Sequence, residues 1–154
     1  MLEEFIEANG LSAKIIKFEK EVASAKQASL ALKVELSDIA KTIVLINPKT
    51  KIGVLAVVLG DSTVDLEKLS AAAKEGDLEP ANPKQVIDIT GYESGGVPPV
   101  SIYGVKTIID KKVMEKETVY AGGGDEFSML KISPKEIEEH AFEAQIKDIS
   151  AELI

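Results

Sequence analysis

Apolar positions along this chain come in short blocks that switch between helical and strand spacing. Leu2, Phe5 and Ile6 fall on one helical face and Gly10 supplies a stop, so residues 2–9 read as a short amphipathic helix. Ala13–Glu19 carries Ile15, Ile16 and Phe18 and reads as a strand. Ser24-Ala-Lys-Gln27 has the form of a capping box, in which the serine oxygen serves the N3 amide and the glutamine reaches back. The helix it opens runs to about Lys33, and Ser37 is placed to cap a further turn over Asp38–Ala40. Thr42–Ile46 and Ile52–Leu59 are apolar, β-branched runs joined by Asn47–Lys51. They predict a hairpin, and their near-continuous hydrophobicity predicts that both its faces are covered.

Gly60-Asp61-Ser62 then breaks the chain, and Leu66 and Leu69 with Ala71–Ala73 predict a helix from about Asp65 to Lys74. Leu78–Ala81 is a short strand candidate. Asn82-Pro83 joins an N-cap to proline at the first helical position and starts a helix ending near Ile89. A glycine–proline loop follows, with a strand expected from about Val100. Ser101–Tyr103 and Thr107–Asp110 are strand candidates, and Lys111–Lys116 is a turn or short helix. Thr118–Ala121 and Phe127–Ile132 bracket Gly122-Gly123-Gly124 as strand, loop and strand. Ser133-Pro134-Lys135-Glu136 is a second capping box, opening a strongly acidic helix. No repeat or linker interrupts the chain. The pattern predicts one α+β domain over residues 1–154, with a mixed six- or seven-stranded sheet or barrel flanked by helices.

Composition narrows the chemistry. With 45% hydrophobic and 29% charged residues, the 154-residue chain is globular in type, able to bury roughly 68–70% of its unfolded surface. No cysteine is present, which excludes disulfides, thiolate metal sites and a cysteine nucleophile. MLEEFIEANG carries acids where a secretory signal would carry lysines, and no apolar run reaches membrane-spanning length. A soluble cytoplasmic protein without a membrane partner is expected. Net charge is −8, and all 18 basic residues are lysine, so the bidentate fork of arginine is missing. From Asp125 onward eight acids face three lysines, which leaves −3 on residues 1–124. A local basic face is therefore possible there, with Lys106, Lys111, Lys112 and Lys116 as one cluster.

His140 is the only histidine and sits beside Glu138 and Glu139, where it reads as an exposed surface residue. A zinc site, which draws on several Cys or His ligands, is not expected. Gly122-Gly123-Gly124 lacks the Gly-Lys-Thr ending of a phosphate loop and reads as a bend for close backbone approach. Lys41 interrupts an apolar run and must snorkel, pair, or meet an anionic ligand. The stretch from Thr90 to Pro99 holds three glycines and two prolines. It is either a tight connection or a rigid array of peptide groups presented to a ligand.

Together, in order and at compatible spacing, these pieces resemble the YbaK/ProX family, the prolyl-tRNA-synthetase-associated editing domains. The resemblance runs from about Leu2 to Ile137. It rests on the helix Ala25–Val34, Ile39-Ala40-Lys41-Thr42 entering a strand, Gly60-Asp61 before the Leu66–Leu69 helix, and Thr90-Gly91-Tyr92. Gly95-Gly96-Val97-Pro98-Pro99, Asp110 after an aliphatic strand, and Tyr120-Ala121-Gly122-Gly123-Gly124 complete it. It implies a small mixed barrel with its site between the Lys41 strand and the glycine–proline loop. By resemblance, Lys41 anchors substrate, and Gly95, Gly96, Val97 and Pro98 hold the aminoacyl ester and help place the attacking water. Thr42, Gly91, Tyr92, Pro99, Gly122 and Gly123 complete the implied substrate surface. Asp125, which follows the glycine bend, is assigned no role.

The implied activity is trans-editing: hydrolysis of the ester of mischarged tRNA, tRNA-Pro carrying Cys, Ala or another wrong amino acid. Neither metal nor cofactor is called for. Such an ester is already activated, so hydrolysis mainly needs a positioned water and stabilisation of the oxyanion. The partner is the acceptor end of aminoacyl-tRNA. With no arginine and a charge of −8, delivery by prolyl-tRNA synthetase or an elongation factor is expected. The alternatives are a non-catalytic module on this fold that binds tRNA or a synthetase, and hydrolysis of a non-tRNA ester.

Overall fold

The computed structural model describes residues 1–153. The described residues form α1 (Leu2–Ala8), β1 (Lys14–Lys17), α2 (Ala25–Leu32), β2 (Ala40–Ile46), β3 (Gly53–Leu59), β4 (Ser62–Val64) and α3 (Leu66–Ala73). They continue with β5 (Glu79–Pro80), α4 (Pro83–Thr90), β6 (Lys106–Asp110), β7 (Val119–Gly122), β8 (Ser128–Ile132), α5 (Pro134–His140), β9 (Gln145–Lys147) and β10 (Ser150–Glu152). The hairpin of β2 and β3 is the centre, with Ala40 opposite Leu59 and Ile46 opposite Gly53. β6 adds parallel to β3 and β9 parallel to β6, while β5 pairs antiparallel on the free edge of β2. A second sheet, in the order β1-β8-β7, is antiparallel throughout and meets the first through a bridge between Ile39 and Tyr120. β4 and β10 pair separately. The fold is α+β with mixed sheets flanked by helices, as the pattern predicts.

Successive strand residues point to opposite faces, so the burial of neighbours tests whether both faces are covered. Val57 and Val58 are each 0% exposed. Val44, Leu55, Val57 and Leu59 join one core cluster, and Leu45, Val54, Ala56 and Val58 join another with Leu69 and Ala73 of α3. The hydrophobicity of the hairpin is thus the signature of a sheet sandwiched between two layers.

Helix starts fall where the side-chain signals put them. Ser24 and Asn82 each form a full capping box, with Gln27 and Gln85 respectively. Ser133 caps α5, but the expected box is only half made: Glu136 Oε2 instead accepts the Ser12 amide at 2.8 Å, tying α5 to the entry of β1. The turn expected over Asp38–Ala40 lies at Leu36–Asp38, closed by Asp38 accepting the Glu35 amide, and Ala40 already belongs to β2. Among the described residues ten strands form where six or seven were expected. β4, β9 and β10 are three residues each, too short to carry a period, and exist because partners pair with them. Ser101–Tyr103 is not a strand: Ser101 has φ of 70°, a left-handed conformation that ends extended chain. The residues from Gly91 to Val105 are all loop. His140 is half-buried rather than exposed, with its ring edge-on to Phe5 at 6.4 Å. Among the described residues no helix is long and apolar enough to cross a membrane.

The segment after α5 is held by Asp110. This carboxylate is 1% exposed and takes the Ile149 amide at 2.9 Å, the Ser150 hydroxyl at 2.9 Å and the Lys112 amide at 3.3 Å. Asp110→Ala orphans a buried donor and is expected to cost about 1–3 kcal/mol in urea unfolding. Faster amide exchange at Ile149 should accompany it; unchanged stability would mean that the C-terminal strands hold themselves.

Candidate functional site

A cleft of about 450 Å³ opens between the N-terminal end of α2, the start of β2, the loop after α4 and the end of β7. Its polar entrance and apolar walls are built by different parts of the chain. Ala23, Ala28, Ile39, Val44 and Met129 give the apolar lining, and Lys41, Thr42, Ser94, Gly95, Val97 and Gly122 bring polar or backbone groups.

The loop is fixed without regular structure. α4 ends on Gly91, whose φ of 79° turns the chain out of the helix. Thr90 Oγ1 donates to Val86 O at 2.7 Å and accepts the Tyr92 amide at 3.0 Å. The Tyr92 and Ser101 hydroxyls lie 2.8 Å apart across the base of the loop. Burial pushes the Tyr92 phenol up, against the opposing pull of the Ser101 hydrogen bond. Val97, Val100, Ile102 and Val105 all sink into the core. Backbone contacts then press the loop against the β7–β8 turn. A Cβ on Gly122 would collide with the Val97 carbonyl, and one on Gly96 would lie 2.7 Å from the Asp125 backbone. Gly124 N donates to Gly96 O at 2.8 Å, and Gly96 N donates to Glu93 O at 3.0 Å. Gly95 and Val97 line the cleft, and among the described residues their amides make no backbone hydrogen bond.

Two polar side chains at the start of β2 leave the strand on opposite faces. Thr42 Oγ1 is buried and has no hydrogen-bond partner among the described residues, which is rare for an interior hydroxyl. Lys41 alternates with it, on the side of Ile43 and Leu45, and its ammonium donates to Ser62 O at 2.9 Å. Lys41 therefore pairs with a neutral carbonyl. Burial pushes its pKa below the 10.5 of a free lysine, and the field of Asp61 opposes that shift.

The structure brings Lys41, Thr42, Gly95, Val97 and Gly122 together around the cleft. Gly96 is buried behind it against Asp125, and Pro98 and Pro99 are buried beyond Val97. Gly91 and Tyr92 form the base of the loop, and Gly123 packs on the backbone of Ser128 and Met129. Asp125 accepts the Phe127 amide at 2.8 Å and shapes the turn. Sequence reasoning missed the apolar wall of Ala23, Ala28, Ile39 and Met129; only the small residues opening α2 hinted at it. Of the four lysines read as a basic cluster, Lys112 and Lys116 line one hollow, together with Asp61, Glu115 and Glu152. Lys106 donates to Ala73 O at 3.2 Å, and Lys116 pairs with Asp38 at 3.7 Å.

This fold and cleft define a small editing-type domain, and comparison with known proteins agrees. The chain belongs to the aminoacyl-tRNA editing domain family, whose profile matches residues 19–139. It is 29% identical over 129 residues to the uncharacterized protein YwhH of Bacillus subtilis, covering 83% of this chain and 81% of that one. It is 28% identical over 118 residues to EbsC of Enterococcus faecalis, named as a candidate Cys-tRNA(Pro)/Cys-tRNA(Cys) deacylase, covering 74% of this chain and 70% of EbsC. A solved structure titled as a candidate trans-editing enzyme for prolyl tRNA synthetase superposes with a TM-score of 0.86 at 27% identity, covering 97% of this chain and 94% of that one.

Gly122→Ala should lower the melting temperature by several degrees, because the methyl displaces the Val97 peptide. Gly76→Ala, which meets nothing within 4 Å, should change stability by about 0.5 kcal/mol or less. Parallel thermal melts compare them, and equal effects would refute the backbone contact. A second expectation concerns Lys41, followed by NMR of ¹³Cε-labelled lysine. It should titrate below 10.5, and Asp61→Asn should move it lower still by removing the opposing field. Since the folded-state value is the lower one, the native state sheds this proton first. The contribution of Lys41 to stability therefore rises with pH between that value and 10.5. A Lys41 that titrates like the exposed lysines would contradict this.

Proposed function

We propose that this chain is a free-standing trans-editing deacylase, one domain over residues 1–154, that hydrolyses the ester of a mischarged aminoacyl-tRNA. The substrate class is tRNA-Pro carrying Cys, Ala or another wrong amino acid. The observation that carries the reading is the juxtaposition of two amides without backbone hydrogen bonds, Gly95 and Val97, with the unpartnered Thr42 hydroxyl in one apolar cleft. A buried hydroxyl such as that of Thr42 ordinarily finds a partner, and an aminoacyl ester supplies acceptors for it and for the two amides.

In the reaction, water forms a bond to the ester carbonyl carbon and the carbonyl oxygen becomes an oxyanion. The bond to the ribose oxygen then breaks, and that oxygen leaves with the proton given up by water. Donors aimed at the developing oxyanion are worth most where water is excluded, and a loop fixed by backbone contacts reorganises little. Neither step asks for a protein nucleophile. Thr42 binds a polar group of the aminoacyl moiety. Lys41 has spent one of its three N–H donors on Ser62 O, which leaves two to draw in the phosphate or ribose of the terminal nucleotide. Pro98 and Pro99 keep the loop stiff from behind. The apolar wall grades amino acids by size, a discrimination of about 1–3 kcal/mol per methylene. A synthetase or elongation factor presents the charged tRNA.

The test is deacylation of Ala-, Cys-, Ser- and Pro-tRNA with the proline acceptor, by wild type and Lys41→Ala. Wild type should release one non-proline amino acid. Losing a charge-assisted hydrogen bond to the substrate should lower kcat/KM about 10- to 100-fold in the variant. No release of any amino acid, with a synthetase present, would leave a non-catalytic binding module as the better account.

A further inference from the structure

The floor of the cleft continues outward along one face of the β1-β8-β7 sheet. Gly122 and Met129, which line the cleft, are directly paired, and their side of the sheet is shared by residues two further along each strand. The next row is Tyr120, Lys131 and Lys14, with Lys131 opposite both neighbours. Beyond it, a hollow carries the hydroxyl residues Ser12 and Thr118. At strand spacing the rows lie about 7 Å and 14 Å from the cleft floor.

Lys14 and Lys131 stand directly opposite each other, a placement of like charges that costs stability. Both are exposed, and among the described residues neither ammonium pairs with a carboxylate. Glu136, the one carboxylate in the hollow, accepts the Ser12 amide. Two lysines against one carboxylate, next to hydroxyls and a half-buried tyrosine, leave a net positive strip that suits a strand of sugar-phosphate. Lysines and hydroxyls meet phosphates, and the tyrosine face takes a base.

The geometry points to a nucleic-acid track: the Tyr120–Lys131–Lys14 row carries the backbone of the acceptor strand out of the cleft. This rests on the cleft being the ester site, and it assigns the direction from which the tRNA enters. An acidic protein segment is the rival occupant.

Anisotropy with a fluorescent RNA hairpin bearing a single-stranded 3′ end tests it on Lys14→Gln/Lys131→Gln. Dissociation constants should rise about tenfold or more near 50 mM salt. The slope of log K against log[salt] should become shallower by about 1.4, taking ~0.7 per single-strand phosphate contact. The melting temperature should hold or rise, since the opposed charges are gone. Lys49→Gln/Lys147→Gln, which removes the same charge elsewhere, should leave binding nearly unchanged. Equal affinity of wild type and the Lys14/Lys131 variant overturns the track, as does polyglutamate competing as well as unlabelled RNA. Hydrolysis of a 3′-aminoacyl-adenosine, which has no phosphate, separates the two readings. If wild type cleaves it and the variant matches, the loss on RNA belongs to the track. If wild type cleaves no ester yet binds RNA through these lysines, the track stands and the deacylase falls.

Discussion

The site depends on a contact between two pieces of main chain. The carbonyl of Val97 lies where the side chain of Gly122 would be, and Gly96 packs directly on the backbone of Asp125. Only glycine permits this approach, because any Cβ would force the two segments apart. The hydrogen bond from Gly124 to Gly96 O fixes the register of the contact. Its consequence is that a loop with no helix or strand between Thr90 and Lys106 is anchored by main-chain contacts to the β7–β8 turn. A loop of that length is uncommon unless it carries function. Here the burial of Val97, Val100, Ile102 and Val105 offsets the entropy of ordering it.

Lys41 poses the opposite problem. Its charge is partly withdrawn from water, yet its hydrogen-bond partner is the neutral carbonyl of Ser62 rather than a carboxylate. A salt bridge would neutralise the cation and remove its attraction for an anion. A lone carbonyl orients the ammonium and leaves most of its field intact. Ser62 belongs to β4, which pairs with β10, and Asp110 fixes the segment leading into β10. The position of the cleft's lysine thus rests on contacts made by the last residues of the described chain.

What could be read from sequence follows from the range of each interaction. Ser24, Asn82 and Ser133 announce helices because a cap acts within three residues. The β2–β3 hairpin shows because both its faces are apolar. β4, β9 and β10 were illegible, since three-residue strands are defined by partners far along the chain. The reach of Glu136 to Ser12 breaks a local box for a contact 124 positions away. Gly95, Val97, Gly122, Thr42 and Lys41 were legible as a group through family resemblance. That Gly91 and Tyr92 serve as the base of the loop was not, nor was the wall from Ala23 and Met129. Those roles follow from which face of an element meets which neighbour.

The net charge of −8 and an anionic substrate are compatible once distance is considered. At physiological ionic strength the field of an exposed charge is screened over about 8 Å. Most acids of the C-terminal region therefore weigh little on a phosphate seated on the proposed track; Glu136 of α5 is the exception, and it shares its hollow with two lysines, which leaves the cations in excess there. Global acidity still discourages the indiscriminate coating of RNA that a basic surface would invite. A protein of this charge holds nucleic acid only where local geometry favours it, and a weak, restricted grip suits an editor. Correctly charged tRNA is the majority species in any cell that translates, and an editor that held every tRNA tightly would sequester what it is meant to release.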